Sequence, residues 1–248
     1  MGIARNLPDE LRPLRNSVEV RLARYFGIQG VGAEAAAALA AASYLRSNAP
    51  GPYRVSTRNP HVDIIVSGVV AERSRLWAGE YWLGDLDVFR DPSTTFYRAR
   101  AQFLCTTTTV HISREVLRSW ALRDLSVQRM LHQVLTSQLR VQDIVYGMDT
   151  RTTLARVAQL LDYLAHRPDD FEEVRITQAS ERILHGPTQK DLADALGLSL
   201  ASVEKSIGIL RKHKILASAG KGRANRAYSI LNPDLLESVA NGINVEVA

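Results

Sequence analysis

The chain has 248 residues, enough for one large domain or two modest ones with real cores. Apolar residues make up 46% and charged residues 23%, which excludes a disordered chain. One cysteine, Cys105, excludes a disulfide framework, a cysteine-only metal cluster and a CxxC redox pair. No apolar run approaches the roughly 18–20 residues of a membrane span, and the Arg- and acid-studded start has no signal-peptide core, so a cytoplasmic protein without a membrane partner is expected.

The net charge of +5 is unevenly placed. Residues 186–231 hold eight bases (Lys190, Lys205, Arg211, Lys212, Lys214, Lys221, Arg223, Arg226) against three acids (Asp191, Asp194, Glu204), and elsewhere 23 bases balance 23 acids. An excess confined to one stretch is the footprint of a polyanionic partner, of which nucleic acid is the commonest; a solvated basic face is the plainer alternative.

In chain order, the first fifty residues read as helical. The alanine-rich run from Ala33 to Arg46 is stopped by Asn48-Ala49-Pro50-Gly51-Pro52. From Tyr53 to Ile112 the texture is that of short strands, among them Val62-Asp63-Ile64-Ile65-Val66, Val69-Val70 and the β-branched run Thr106 to Ile112. Gly68, Gly79 and Gly84 mark corners, so a small barrel or roll is expected. Ser113 to Met148 lacks proline, and lacks glycine until Gly147, which predicts one long helix. Along it Val127, Leu131, Val134, Gln138, Val141, Val145 and Met148 advance by steps of four and three, a coiled-coil seam of about three heptads. That narrow stripe predicts a parallel homodimer with polar Gln138 fixing register; packing on the chain's own β domain is the alternative. Asp149-Thr150 offers a cap for a next helix faced by Leu154, Val157, Leu160, Leu161 and Leu164. Val174-Arg175-Ile176 and Ile183-Leu184 are placed to pair as a small hairpin.

The informative stretch follows. Thr188 with Asp191 three residues on is a capping-box pattern, Leu192, Ala193 and Leu196 form a buried face, and Gly197 supplies a tight turn. Ser199 caps a second helix whose Val203, Ile207 and Leu210 line one side. The opposite side carries Ala201, Lys205, Gly208 and Lys212. Two short helices joined at a glycine, the second basic, describe a helix-turn-helix. Lys214-Ile215-Leu216 and Tyr228-Ser229-Ile230 then read as strands around the tip Gly220-Lys221-Gly222-Arg223-Ala224-Asn225-Arg226, a basic wing suited to phosphate or minor-groove contact. Candidate DNA-contacting residues are therefore Thr188, Gln189, Ser199, Leu200, Ala201, Ser202, Lys205, Lys212, Lys221, Arg223 and Arg226.

This order of parts resembles the Crp/Fnr superfamily of transcription regulators from about Val62 to Leu236. The likeness is strongest over Thr188-Gln189-Lys190-Asp191-Leu192-Ala193, Gly197-Leu198-Ser199 and Tyr228-Ser229-Ile230-Leu231. In the β half, Ile64-Ile65-Val66-Ser67-Gly68-Val69-Val70 and Gly79-Glu80-Tyr81-Trp82-Leu83-Gly84-Asp85-Leu86 resemble the cyclic-nucleotide-binding roll. The resemblance implies an α+β bacterial homodimer: an N-terminal helical segment and jelly-roll-like sensor roll over 1–112, a dimerisation helix over 113–149, and a winged helix-turn-helix over 150–248. It implies double-stranded DNA with a pseudo-palindromic operator and RNA polymerase as partners, and no enzymatic activity.

Departures qualify it. Leu200-Ala201 stands where well-known members place a base-reading Arg-Glu, and only Lys205 matches a later basic reader. Gly84-Asp85 replaces the Gly-Glu that holds the ribose, and Arg98 and Arg100 are equal candidates for the phosphate arginine, with Gln138 of the long helix a further ligand contact. Tight binding of cyclic AMP is therefore not expected, no cofactor is required, and another nucleotide-like effector or none stays open. Too few cysteines exclude the iron–sulfur branch. The six histidines (61, 111, 132, 166, 185 and 213) have no metal-site spacing, and Cys105 reads as an inert buried thiol in an apolar strand. The readings from other classes are a ligand-independent regulator of the same fold and an enzyme or scaffold with an accessory winged helix.

Overall fold

Among the described residues, eight short strands between Ser43 and Ser113 build a roll of two four-stranded sheets, and the β-branched run at its end organises the first. The structure, a computed structural model, describes residues 12–56, 61–83, 98–147, 151–165, 183–218 and 227–243. The strands are β1 (Ser43–Asn48), β2 (Gly51–Ser56), β3 (His61–Ser67), β4 (Val70–Glu72), β5 (Arg75–Trp77), β6 (Trp82–Leu83), β7 (Arg98–Phe103) and β8 (Thr107–Ser113). One sheet has the order β1-β8-β3-β6 and the other β2-β7-β4-β5, with antiparallel neighbours throughout. Ahead of the roll lie α1 (Arg12–Ile28) and α2 (Ala33–Ala41). The alanine helix ends earlier than its composition implies. Ser43 turns its hydroxyl onto the Leu39 carbonyl (2.6 Å), and residues 43–48, expected as helix as far as Arg46, pair with β8 instead. Helix propensity of a few tenths of a kcal/mol per residue yields to a six-residue ladder.

The predicted long helix is two. Helix α3 (Arg114–Ala121) is capped by Ser113, and α4 (Leu125–Tyr146) by Asp124, whose carboxylate accepts from the Ser126 N–H (2.8 Å) and hydroxyl (2.7 Å). That cap, with no proline or glycine, is what restarts the chain.

The seam faces inward. Val127, Leu131 and Val134 are buried in a core made with Leu22, Tyr25 and Phe26 of α1, Leu39 of α2, and Val62, Ile64, Val110 and Ile112 of the first sheet. Val145 is buried in a second core, Val141 packs against it, and Gln138 donates to the Trp82 carbonyl (3.0 Å). Met148 lies outside the described residues. The assignment of Val127, Leu131, Val134 and Val145 to a partner helix is thus corrected, while Gln138 and Val141 are half-buried: buried Met130 and Tyr146 widen the stripe into the broad face of a helix packed on its own domain.

Beyond the roll come α5 (Thr153–Ala165), β9 (Ile183–His185), α6 (Gln189–Leu196), α7 (Leu200–Lys212), β10 (Leu216–Ser218), β11 (Ala227–Ile230) and α8 (Pro233–Ala240). Thr152 accepts from the Ala155 N–H at the start of α5 (3.2 Å); Asp149-Thr150 lies outside the described residues. The partner of β9 is β11, giving a three-stranded sheet of order β10-β11-β9, whereas the hairpin proposed for it with residues 174–176 falls outside the described residues. No helix among the described residues is long and apolar enough to cross a membrane.

The second core joins the two halves. It runs unbroken from Ile65, Leu76, Trp77 and Leu104 of the roll through Val145 and Tyr146 to Val157 and Leu161 of α5, Leu192 and Leu196 of α6, and Val203, Ile207 and Leu210 of α7. Gly186, just ahead of α6, has a φ of +116°, and a Cβ there would sit 3.1 Å from the Leu104 Cβ and 3.2 Å from the Cys105 Sγ. Cys105 accordingly lies in the turn between β7 and β8, half-buried, rather than within a strand. Its sulfur accepts from the Val69 N–H, and burial pushes the thiol pKa up.

At the joint, the Tyr146 hydroxyl donates to the Leu76 carbonyl (2.5 Å) and accepts from the Leu76 N–H (2.9 Å), while the Arg75 guanidinium lies 5.1 Å from the centre of its ring. Tyr146→Phe keeps the packing and orphans both backbone groups, so stability should fall by about 1–3 kcal/mol. Urea denaturation followed by tyrosine and tryptophan fluorescence checks this, and an unchanged midpoint would show that the hydroxyl bonds are replaced by water at no cost.

Candidate nucleic-acid interface

Local capping makes the two-helix unit. Thr188 Oγ1 accepts from the Asp191 N–H (3.1 Å) while Asp191 Oδ2 accepts from the Thr188 N–H (2.7 Å), a reciprocal capping box. Helix α6 ends at Gly197, whose φ of +63° is the left-handed C-cap that glycine adopts without strain. Two residues later Ser199 caps α7, its hydroxyl accepting from the Ser202 N–H (3.1 Å). From α5, Arg156 donates to the Leu196 carbonyl (2.8 Å), so a charged side chain fixes the C-terminal end of α6 against the turn. Arg156 carried no sequence signal, because its partner lies forty positions away.

Helix α7 is divided cleanly by burial. Val203, Ser206, Ile207 and Leu210 are buried, the serine returning its hydroxyl to the Ser202 carbonyl (2.9 Å). Leu200, Ala201, Glu204, Lys205, Gly208 and Lys212 are exposed, Leu200 by 44%. Thr188, Gln189 and Ser202 are half-buried at the two helix starts. The structure therefore brings Ser199, Leu200, Ala201, Lys205 and Lys212 onto one solvent-facing surface. Lys221, Arg223 and Arg226 lie outside the described residues, between β10 and β11, which do pair as an antiparallel hairpin.

The candidate ligand residues are spread differently. Gly84 and Asp85 lie outside the described residues, and Arg98 and Arg100 take part in β7, with backbone register opposite Ser56 and Arg54. Gln138 lines a cavity of about 280 Å³ where the Gly79–Tyr81 loop, α4 and α5 meet.

Between the roll's two sheets sits a polar network that the sequence did not announce. His111 Nδ1 lies 2.7 Å from Asp63 Oδ1, and the two are cross-strand partners on β8 and β3. Tyr53, from the other sheet, donates to Asp63 Oδ2. His111 Nε2 meets Thr109 Oγ1 (3.0 Å), which also accepts from Asn48 (2.9 Å), and Tyr44 stacks on the His111 ring. His61 stands edge-on nearby; desolvation and His111 lower its pKa, opposed by Asp63. Among the described residues no group of three His, Cys, Asp or Glu side chains is placed to hold a metal ion.

The comparisons with known proteins bear on both halves. The profile of the Crp-like helix-turn-helix domain matches residues 155–239. No curated protein matches the chain significantly. Among solved structures, a candidate cAMP-binding regulatory protein from Silicibacter pomeroyi DSS-3 is 17% identical and superposes with a TM-score of 0.62 over 92% of this chain and 100% of that one. FixK2 from Bradyrhizobium japonicum, 18% identical, gives 0.55 over 82% and 99%. A CRP/FNR-family transcriptional regulator from Thermus thermophilus, 17% identical, gives 0.51 over 81% and 100%. At such identities the likeness is one of fold. Residues 155–239 match the Crp-like helix-turn-helix domain, and the chain as a whole shares its fold with these solved regulators.

Proposed function

We propose that this protein is a homodimeric, sequence-specific DNA-binding transcription regulator, not an enzyme, in which the roll sets the posture of the winged helix. The observation that carries the reading is α7: a capped helix with its apolar side buried against its own domain and Ala201, Lys205 and Lys212 turned to solvent. A helix so presented fits the major groove, where a lysine donates to guanine O6 and N7 and a methyl meets thymine. The basic segment with Lys221, Arg223 and Arg226 serves phosphate contact. RNA polymerase is the further partner of such a regulator, and 1–112, 113–149 and 150–248 are its proposed sensor, dimerisation and DNA-binding parts.

The dimer is proposed to form through the face of α4 that carries Leu135 and Leu139. Leu135 and Leu139, one turn apart, are 42% and 62% exposed, and with Gln128, His132 and Gln142 they repeat the four-three step along a side of α4 that meets the roll at Tyr146, the next residue in register. Two large apolar side chains in that register fit a second copy of the helix.

A second reading concerns the effector. A nucleotide would meet Gly84, Asp85, Gln138 and one of Arg98 and Arg100. The Tyr53–Asp63–His111 network, however, fills part of the space between the sheets with the chain's own polar groups, which favours an effector other than cyclic AMP, or none.

Selection of genomic fragments by the full-length protein, with and without cyclic mono- and dinucleotides, tests the whole reading; recovery of no preferred sequence would overturn it. Lys205→Ala should relax base preference at one position per half-site, with about 1–3 kcal/mol of discrimination lost, the half-sites lying roughly 10 base pairs apart centre to centre or a multiple of that. Arg223→Ala should weaken all sequences alike and lower the salt slope by about one unit. In sedimentation, Leu135→Glu with Leu139→Glu should give a folded monomer, and an unchanged dimer would move the interface elsewhere.

A further inference from the structure

Helix α7 contains a glycine that its own chain does not explain. Gly208 lies in the interior of the helix, four residues before Lys212, in right-handed helical conformation, so neither a C-cap nor a positive φ calls for it. Close packing among the described residues does not call for it either: a Cβ built there would meet none of them within 4 Å. Gly186 is the contrast, since a side chain there would press on Leu104 and Cys105. Glycine is the poorest helix former after proline, and at an exposed site with open space around it alanine would make the better helix. The cost is borne in the element proposed to enter the groove.

The position decides what Gly208 is near. It falls in the middle of the exposed face, seven residues after Ala201 and so roughly 10 Å further along the axis. Lys205 stands one turn before it and Lys212 one turn after, both exposed. In a helix-turn-helix the N-terminal residues of the second helix contact base edges, and Gly208 lies two turns beyond Ala201 on the same exposed face. Glycine lets a backbone come close to a ligand where any side chain would hold it off.

We infer that Gly208 is a positioning residue for DNA: the point where the duplex comes against the backbone of α7, its missing Cβ setting how deep the helix sits and so the reach of Lys205 and Lys212. This rests on the DNA-binding reading. The partner is double-stranded DNA, and the contact is one of shape rather than charge.

Gly208→Ala separates this role from a structural one because the two consequences have opposite sign. In the full-length protein the substitution should raise Tm by about 2–4 °C through better helix formation, while affinity for a duplex selected by the wild-type protein falls at least tenfold. Affinity for random-sequence duplex should fall less, since loose non-specific complexes hold the helix further out. Affinity equal to wild type, or a lowered Tm, would overturn the inference. The wild-type arm distinguishes its failure from that of the DNA-binding reading: wild-type protein that selects no sequence sinks both, whereas wild-type selectivity matched by an equally selective Gly208→Ala variant sinks this inference alone.

Discussion

The edge of the roll's second sheet is held by tyrosines from the helices that follow the roll, and the posture of the winged helix depends on that grip. Among the described residues strand β5 is last in its sheet, with no described strand on one side of its backbone. Tyr146, the last residue of α4, satisfies both the N–H and the C=O of Leu76, and the Tyr163 hydroxyl of α5 accepts from the Ala78 N–H (3.4 Å). Burial raises the pKa of both tyrosines, so each stays a neutral phenol able to donate and accept. Trp77 and Tyr81 stack beside them at 3.9 Å between ring centres, and Trp77 meets the Tyr146 ring edge-on. Among the described residues, this sheet edge is thus closed by side chains of α4 and α5.

From that grip the rest follows in order. The end of α4 and Tyr163 of α5 lie on this edge and α6 packs on β5, so the apolar faces of α6 and α7 merge with the roll's core. The core takes the inner sides of both helices and leaves the outer side of α7 to solvent. Arg156 and the caps at Thr188 and Ser199 then fix the angle between α6 and α7 without further help from the roll. The winged helix is set internally by hydrogen bonds and externally by apolar burial, which are separable: one could shift on the roll while the other held.

How much of this was legible in the sequence depended on how local the cause was. The cap at Thr188, the turn at Gly197 and the cap at Ser199 are decided within a few residues, and they stand as read. The strand at 43–48 was hidden because its cause, the ladder to β8, lies some sixty residues away, while the alanines beside it signal helix. Likewise β9 pairs with a strand more than forty residues on, and no local pattern names that partner. Asp63 and His111, forty-eight positions apart, meet only because β3 and β8 are neighbours in register. One signal was present and unread: Asp124-Leu125-Ser126 is a cap pattern inside an apparently continuous helix, and it divides α3 from α4.

The seam was misassigned for a different reason. A repeat of four and three reports that one side of a helix is apolar; it does not report what covers that side. In α4 the covering body is the chain's own roll together with α1 and α2, so Val127, Leu131 and Val134 are spent before a second chain arrives. Leu135 and Leu139 lie roughly a quarter to a third of a turn around the helix from the centre of that face, at about 100° per residue. In the proposed dimer the same 22-residue helix therefore touches the roll on one side and its copy on the adjacent side, and ends in the tyrosine that holds the hinge. A rigid helix with those three attachments cannot roll on one without turning the others. In that proposed arrangement, a shift of the sheet edge under Tyr146 would be carried by α4 both to its proposed copy and, through the shared core, to α7.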